Sequence, residues 1–543
     1  MNWLLEPVQM SYNKFMNNLT HVNFTRNKHA FQLRMNFDVD TLIPEDSKVR
    51  LVCNIVEEMN LEPLLSTQKK KGRKPKDLIS MLKILLFCYS ERIVSTRDIE
   101  DFCTYDTRAH FILQDVAAPD HSTISRFIQR IDGYATELLT QFVEMLIEEG
   151  HVNLDSIYID GTKIESVAGR YTFVWRKTVE KNQQKLVERM IKELKLPEKT
   201  SRQKVIEAVQ SEFNRIISDC KRNHVVFVHG RGKRKNQLQR DFEHYHEVLH
   251  RFEAYQEHLT ILGARNSYSK TDHEATFMRM KDDHMRNGQL KPAYNIQFAS
   301  NGAFIVGVMG SQKSNDLHTL IPFLEQMKPR YGNHLNKIVA DAGYESVENY
   351  NYLKEHHLKS YIKPSNYEQS KKKKVRDDIG RKENMEYLPA EDAYLCKNGK
   401  KLIRVKDSTK KYVSGYEDTV RTYCCTECSD CPLNNQCIKR RKQFGQATRK
   451  YIKFSPAFEN YRRESYENIT SNEGIIERMN RSIQAEGMFS KLKDGLQYVR
   501  FRHRSMRKVI ADITLMAIGI NINKLHSKKL KNQEGVILYK KTA

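Results

Sequence analysis

The chain has 543 residues, 39% hydrophobic and 29% charged, with a formal net charge of +24, a composition that excludes a disordered chain and leaves room for several domains. The opening MNWLLEPVQMSYNK lacks a basic segment followed by an apolar core, and the longest apolar stretch, VIADITLMAIGINI from Val509, is short and contains Asp512, so neither a secretory signal nor a membrane span is expected. The charge excess recurs in blocks (KKKGRKPK from Lys69, RGKRK from Arg231, KKKK from Lys371, KRRK from Lys439); one block alone reads as a solvated loop, but together they point to nucleic acid as partner.

In chain order, residues 1–150 read as helical. LISMLKILLFCYSERIVSTRDIEDFCTYD, from Leu78, carries apolar positions at helical spacing. PDHSTISRFIQRID, from Pro119, has Pro and Asp before a Ser/Thr start, an apolar stripe of Ile124, Phe127, Ile128 and Ile131, and a second stripe of Arg126 and Arg130. It reads either as a DNA-contacting helix or as an ordinary amphipathic helix with a basic face. His121, at its start, faces DNA or is structural on the same two readings.

The pattern turns to strands at SIYIDG, from Ser156, and RYTFVW, from Arg170. Asp160-Gly161 after an apolar run is a hairpin signal, and RYTFVW supplies the returning strand. Residues 177–267 are charged and helical and read as an insertion forming a helical hairpin or interaction arm. Strand character resumes at PAYNIQFAS (from Pro292) and FIVGVMG (from Phe304). The helix DLHTLIPFLEQM follows, then KIVADAGYES (from Lys337) and KSYIKP, an alternation that predicts an α/β domain. A second insertion, basic and Cys-rich, spans 366–454. A last helical region begins near NEGIIERMNRSIQAEGMFSKLK and runs to about residue 525, and 526–543 is a basic tail.

Three carboxylates stand out. Asp160 and Asp341 each follow an apolar strand, and in open α/β sheets ligands collect at the carboxyl ends of strands. Asp341 reads alternatively as the N-cap of the next helix. At about 100° per residue, Ile476, Met479, Ile483 and Phe489 share one side of a helix with Glu486 among them, and Lys493 falls on the same face. That predicts a buried stripe carrying an ionisable pair, which must find partners: a plain salt bridge, or a metal-bound glutamate with a lysine near phosphate. Asp160, Asp341 and Glu486 together suit two Mg²⁺ ions, or Mn²⁺ in their place, clamping the oxygens of a phosphodiester.

GRKPKD, RIVSTRDIEDFC and PDHSTISRF in the first part, and YIDGTKIES, RYTFVW, PAYNIQ, ADAGYESVEN and RSIQAEGMFSKLK beyond it, occur in one order along most of the chain. On these motifs the sequence resembles the DDE transposases of bacterial insertion sequences, most closely the group of insertion sequence number 1182. The resemblance implies an α/β fold: an RNase H-like catalytic core of mixed sheet and flanking helices over 151–525. An all-helical DNA-binding domain over 1–150 precedes it, and the two insertions interrupt it. It implies Asp160, Asp341 and Glu486 as the acids and Lys493 as the base after the glutamate. The superfamily often places a tyrosine and an arginine before that glutamate. Here those places hold Met479 and Ser482, which leaves Arg478 and Arg481 as candidates for phosphate, Arg481 first.

Ten cysteines include six between Cys396 and Cys437. Cys425, Cys428, Cys431 and Cys437 are spaced Cys-x2-Cys-x2-Cys-x5-Cys, which predicts a local metal site in a reduced protein, with Cys396 and Cys424 spare. Structural zinc is the first reading; an iron–sulfur cluster or metal-free thiols are the others. Asp316 reads as a fourth carboxylate near the metals or, more simply, as a helix N-cap. Trp175 reads as a base-stacking or a core residue.

The resulting expectation is a bacterial, cytoplasmic and nucleoid-associated transposase. It would bind the terminal inverted repeats of its element, cut a phosphodiester at each end with water, and join the released 3′-hydroxyl to target DNA. Double-stranded DNA would be its partner and a homodimer its form on DNA, with no membrane and no small-molecule substrate. The rival readings are a non-catalytic DNA-binding derivative and a metal-dependent nuclease without strand transfer.

Overall fold

The computed structural model describes residues 38–66, 77–114, 116–230, 232–280, 288–412, 414–439, 447–533 and 535–536, and only the backbone of Asn333, Glu486 and Asp494. The opening segment, the Lys69 block, Arg231, most of the Lys439 block and the end of the tail lie outside the described residues. The chain divides into a unit of residues 1–44 and a unit of residues 45–543. In the first, Asp38 caps a four-residue helix, Val39–Leu42, by accepting from the Asp40 backbone N–H at 3.0 Å. Everything below concerns the second.

Its first part is helical, as the apolar periodicity predicts: Lys48–Glu58, Leu78–Ser90, Thr96–Tyr105, Thr107–Leu113, His121–Arg130 and Ala135–Glu148. Asp77 caps Leu78–Ser90 from the Ser80 N–H at 2.7 Å, and that helix is buried from Met81 to Ser90 except at Lys83. It packs on the long helix Met506–Leu530, which contains the apolar stretch from Val509. Asp512, inside that stretch, is buried because two tyrosines satisfy it. Tyr89 donates to its Oδ1 at 2.9 Å, and Tyr498 donates to its Oδ2. Among the described residues no helix is long and apolar enough to cross a membrane.

The fold is mixed α/β. One sheet joins β1 (Ser156–Glu165), β4 (Thr276–Arg279), β5 (Leu290–Asn301), β6 (Phe304–Ser311), β7 (Lys337–Ala340) and β8 (Lys359–Ile362). The central strand β1 runs antiparallel to β5 and parallel to β7, and β7 runs parallel to β8. Along the other side of β5, β6 pairs with its second half and β4 with its first. The edge of β6 is covered rather than left open. Asn521, from Met506–Leu530, accepts from the Ile305 N–H and donates to the Ile305 carbonyl, both at 2.8 Å, taking the place of a neighbouring strand.

The predicted hairpin is not formed. β1 continues straight through Asp160-Gly161 to Glu165, and its antiparallel partner is β5. The short strand β2 (Phe173–Trp175) pairs instead with β3 (Ser267–Ser269). Between them lie three helices, Arg176–Glu193, Arg202–Arg222 and Gln237–Leu262, which bury their own core of Leu186, Met190, Val205, Val209, Val248 and Phe252. The local signal at Asp-Gly cannot register a return strand postponed by such an insertion.

The Cys-rich segment is a second sheet, five antiparallel strands in the order β13 (Lys450–Phe454), β12 (Glu417–Cys425), β11 (Lys401–Lys411), β10 (Ala393–Leu395) and β9 (Glu386–Leu388). Its core holds Tyr394, Leu402, Tyr423 and Ile452 beside Cys425 and Cys428.

Candidate active site

The β1–β7 ladder fixes the first two acids. Its parallel register ends at Ile159 opposite Ala340, and the next residues on the two strands are Asp160 and Asp341. Ile157, Ile159, Ile338 and Val339 are fully buried behind them, so the apolar alternation that forms the strands also delivers both carboxylates to one place. Asp341 Oδ1 accepts from the Gly343 N–H at 2.8 Å, which starts the tight turn Ala342–Tyr344. Asp341 thus caps a turn and stands beside Asp160 as well.

The third element is the helix Asn472–Ser490, whose Ser471 N-cap accepts from the Gly474 N–H at 3.0 Å. Arg481 Nη2 donates to Asp160 Oδ2 at 2.8 Å and lies 3.9 Å from Asp341 Oδ2. Its Nε is buried and has no hydrogen-bond partner among the described residues. Arg478 turns elsewhere, donating to the Tyr367 hydroxyl at 3.3 Å. Further along, the Phe489 ring meets Phe298 edge-on at 5.9 Å, and Phe298 is the residue opposite Asp160 on β5. The helix backbone therefore passes the acids between Arg481 and Phe489, the interval that contains Glu486. The Glu486 side chain lies outside the described residues.

The helix corrects the expected apolar stripe. Met479 and Ile483 are 40% and 57% exposed, whereas Glu477, Asn480, Gln484, Ala485 and Met488 are buried. The buried face is polar because the sheet offers matching groups there. Glu477 accepts from Ser156 at 2.8 Å and from Tyr158 at 2.7 Å, and Gln484 accepts from the Ala303 N–H at 3.1 Å. The helix then passes into a π turn, Lys491–Gly495, which contains Lys493.

A third carboxylate lies near the glycines that follow the pair. Asp316, in the connection after β6, accepts at Oδ1 from Asn295 Nδ2 at 2.7 Å and from Gln297 Nε2 at 2.9 Å. Asp316 is not the expected N-cap: Asn315 accepts from the Leu317 N–H at 2.8 Å and caps the 3-10 turn Asp316–His318, and the helix Leu320–Tyr331 that follows begins at Thr319 without a side-chain cap. Two glycines make the approach possible. A Cβ on Gly161 would stand 2.8 Å from Asp316 Oδ1 and 2.5 Å from Gln297 Nε2, and one on Gly343 would stand 2.9 Å from Asp341 Oδ1. The Tyr344 hydroxyl, donating to Gln297 Oε1, lies beside the same group. Burial first, then the charges of Asp316, Asp160 and Asp341, raise its pKa well above the phenolic range, and Arg481 opposes them.

The donor set fits a divalent cation of the magnesium type: carboxylate oxygens gathered at glycines, with a guanidinium standing where positive charge is wanted. Among the described residues no three His, Cys, Asp or Glu side chains are gathered so as to hold a metal ion as they stand; Glu486 is not in that set.

The predicted cysteine ligands meet at one small cavity, lined by Cys425, Cys428, Cys431 and Cys437 and also by Cys396, which the spacing leaves spare. Cys424 faces the other side of β12. Burial pushes the Cys428 thiol up to about 12, with Cys425 and Cys437 adding to it. Burial also raises Cys437, against the charge of Lys450.

The remaining expectations resolve simply. Ile124, Phe127, Ile128 and Ile131 are buried, while Arg126 is exposed and Arg130 half-buried. His121 Nδ1 meets Glu100 at 2.7 Å, a tie between helices. Trp175 is half-buried in a cluster with Phe173 and Phe277. Lys163 donates to the Arg279 carbonyl at 3.1 Å, and Glu165 is buried against Lys291 at 3.0 Å and Arg170 at 3.3 Å.

A family model described as a transposase DDE domain matches residues 395–526, and one described as a transposase domain (DUF772) matches residues 37–130. Together they indicate a DDE-type transposase. The first match contains Arg481, Glu486, Lys493 and the cysteine segment, and both matches leave out Asp160 and Asp341. No curated protein matches the chain.

Proposed function

We propose that this transposase binds the terminal inverted repeats of an insertion sequence, of the group numbered 1182, cuts the phosphodiester at each end and joins it to target DNA. The observation that carries the reading is the pairing of Asp160 with Asp341 at the end of the β1–β7 ladder, bridged by Arg481. The mixed sheet with helices on it supports an RNase H-like core for 151–525. Asp160, Asp341 and Glu486 would hold two Mg²⁺ ions, or Mn²⁺, which supply charge stabilisation for the attacking and leaving oxygens.

The chain's own residues then have separable tasks. The acids gather at a rim where Asp341 is 40% exposed, open to a polynucleotide backbone. Arg481, which pairs with Asp160 beside Asp341, carries a guanidinium that would suit phosphate at this rim, a geometry lysine reproduces poorly. Lys493 adds positive charge after Glu486. The helices before residue 150, with Arg126 and Arg130, and the basic insertions would hold double-stranded DNA, in keeping with the net charge of +24. Two ends cut together call for a homodimer on DNA, in the bacterial cytoplasm at the nucleoid. In the second sheet, four of the five thiols at one cavity would draw together on a structural zinc.

The test is cleavage of the element's own ends with and without Mg²⁺. The wild-type protein cuts only with the metal, and Asp341→Asn binds the ends without cutting. Cleavage by Asp341→Asn would overturn the assignment.

A further inference from the structure

Charge is segregated along the helical insertion between β2 and β3. Over residues 176–219 and 241–262, twelve Lys and Arg stand against twelve Asp and Glu. Between Asp219 and Asp241, where the helix Arg202–Arg222 hands over to Gln237–Leu262, the chain carries seven Lys and Arg and no carboxylate. The helix Gln237–Leu262 has 26 residues and so spans about 39 Å. Its last residue leads into β3, so the basic connection at its first residue forms the far tip of the insertion.

The tip has a fixed conformation. Gln239 is wholly buried; its Oε1 accepts from the Val228 N–H at 3.0 Å and its Nε2 donates to the Val228 carbonyl at 2.9 Å. The Phe227 ring meets Phe242 edge-on at 4.9 Å. Asn236 caps the second helix by accepting from the Gln239 N–H at 2.8 Å. These ties hold the connection to the insertion and leave its cations outside: Lys221, Arg222, Lys233, Arg234, Lys235 and Arg240 are all exposed. Arg222 pairs with Asp219 at 3.3 Å and Lys235 with Glu243 at 2.5 Å, and such exposed pairs are weak. The other four have no ion pair among the described residues. Solubility is served by both signs interspersed, as on the rest of the insertion. A tip of one sign repels itself and is complemented by a polyanion.

We propose that this tip grips the phosphate backbone of double-stranded DNA, whatever its base sequence, about a helix length from β3. The inference rests on the reading of the chain as a transposase acting on DNA. Exposed cations on an ordered connection suit phosphates, which fix position without carrying sequence. Each phosphate neutralised releases counterions, so the grip depends steeply on salt.

Equilibrium binding of the full-length protein to end DNA and to an unrelated duplex, over a range of NaCl concentrations, tests it. Lys233→Gln, Arg234→Gln and Arg240→Gln combined are expected to flatten the slope of log affinity against log salt by about two to three. Both duplexes should weaken by the same factor, with thermal melting unchanged, and hydroxyl-radical footprints should lose one protected stretch of backbone. Lys181→Gln, Lys185→Gln and Arg189→Gln combined remove three exposed cations from the helix Arg176–Glu193, where carboxylates stand among them. That variant should change the slope by less than about one. A wild-type slope and footprint in the tip variant, an equal flattening in the other variant, or a loss confined to end DNA each overturns the proposal and leaves the transposase reading standing. A wild-type protein that binds neither duplex overturns both.

Discussion

Asp160 and Asp341 meet because a parallel ladder ends one residue short of each, whereas the five thiols meet because a β-turn and a loop fold over one end of the second sheet. The acids are set by a backbone whose residues behind them are wholly buried, so their spacing is a property of the large core. The thiols hang on short connections around an apolar pocket, with Cys396 on one and Cys428, Cys431 and Cys437 on the other. A site of the first kind keeps its shape before its ligand arrives. A site of the second kind takes shape with its ligand, and the ligand's binding energy becomes folding energy.

That contrast can be broken at either end. The largest effect is expected at the acids. Asp160→Asn should lower end cleavage by on the order of 10³-fold while leaving thermal melting and DNA binding near wild type. A melting temperature that falls with activity would mean the ladder depends on its charge. Next comes Cys428→Ser. Elemental analysis should find one zinc per wild-type chain and none in the variant, and the variant should melt earlier, as should wild type treated with a chelator. Zinc retained by the variant would remove Cys428 from the site.

Smaller effects sharpen the account of the first region. Gly161→Ala places a methyl group against Gln297 and Asp316, so a stability loss of about 1–3 kcal/mol is expected in denaturant unfolding, together with reduced cleavage. An unchanged protein would mean that the Asp316 loop yields freely. On the Asn472–Ser490 helix, Gln484→Leu removes the acceptor of the half-buried Ala303 N–H and should cost about 1 kcal/mol. The exposed Ile483→Ser should stay within about 0.5 kcal/mol. The reverse ranking would restore the apolar stripe that periodicity predicts.

The comparison also marks where the sequence is legible. Strands β1, β5, β6 and β7 announce themselves by apolar runs, and the position of Asp160 and Asp341 beside strand ends follows from those runs. Which strands pair does not follow. Between β1 and β5 the chain spends three helices with a core of their own, and no local signal spans them. The helix face was misjudged for a different reason. Apolar periodicity assumes that a buried face is apolar, yet Glu477 and Gln484 are buried because Ser156, Tyr158 and the Ala303 backbone await them. Cys396 is left out through distance along the chain: it joins the other thiols only after the second sheet has formed.

The helix Met506–Leu530 packs on the helices before residue 150, closes the edge of β6 through Asn521 and holds Asp512 against Tyr89. These ties join residues more than two hundred positions apart, from Ile305 to Asn521, and more than four hundred, from Tyr89 to Asp512. A chain still on the ribosome can make its early helices, but it cannot seal the sheet that carries the acids until residue 521 has emerged. A nascent or truncated product that stops short of residue 521 lacks the Asn521 side chain that pairs with Ile305, so this seal on the β6 edge comes only after that residue has emerged.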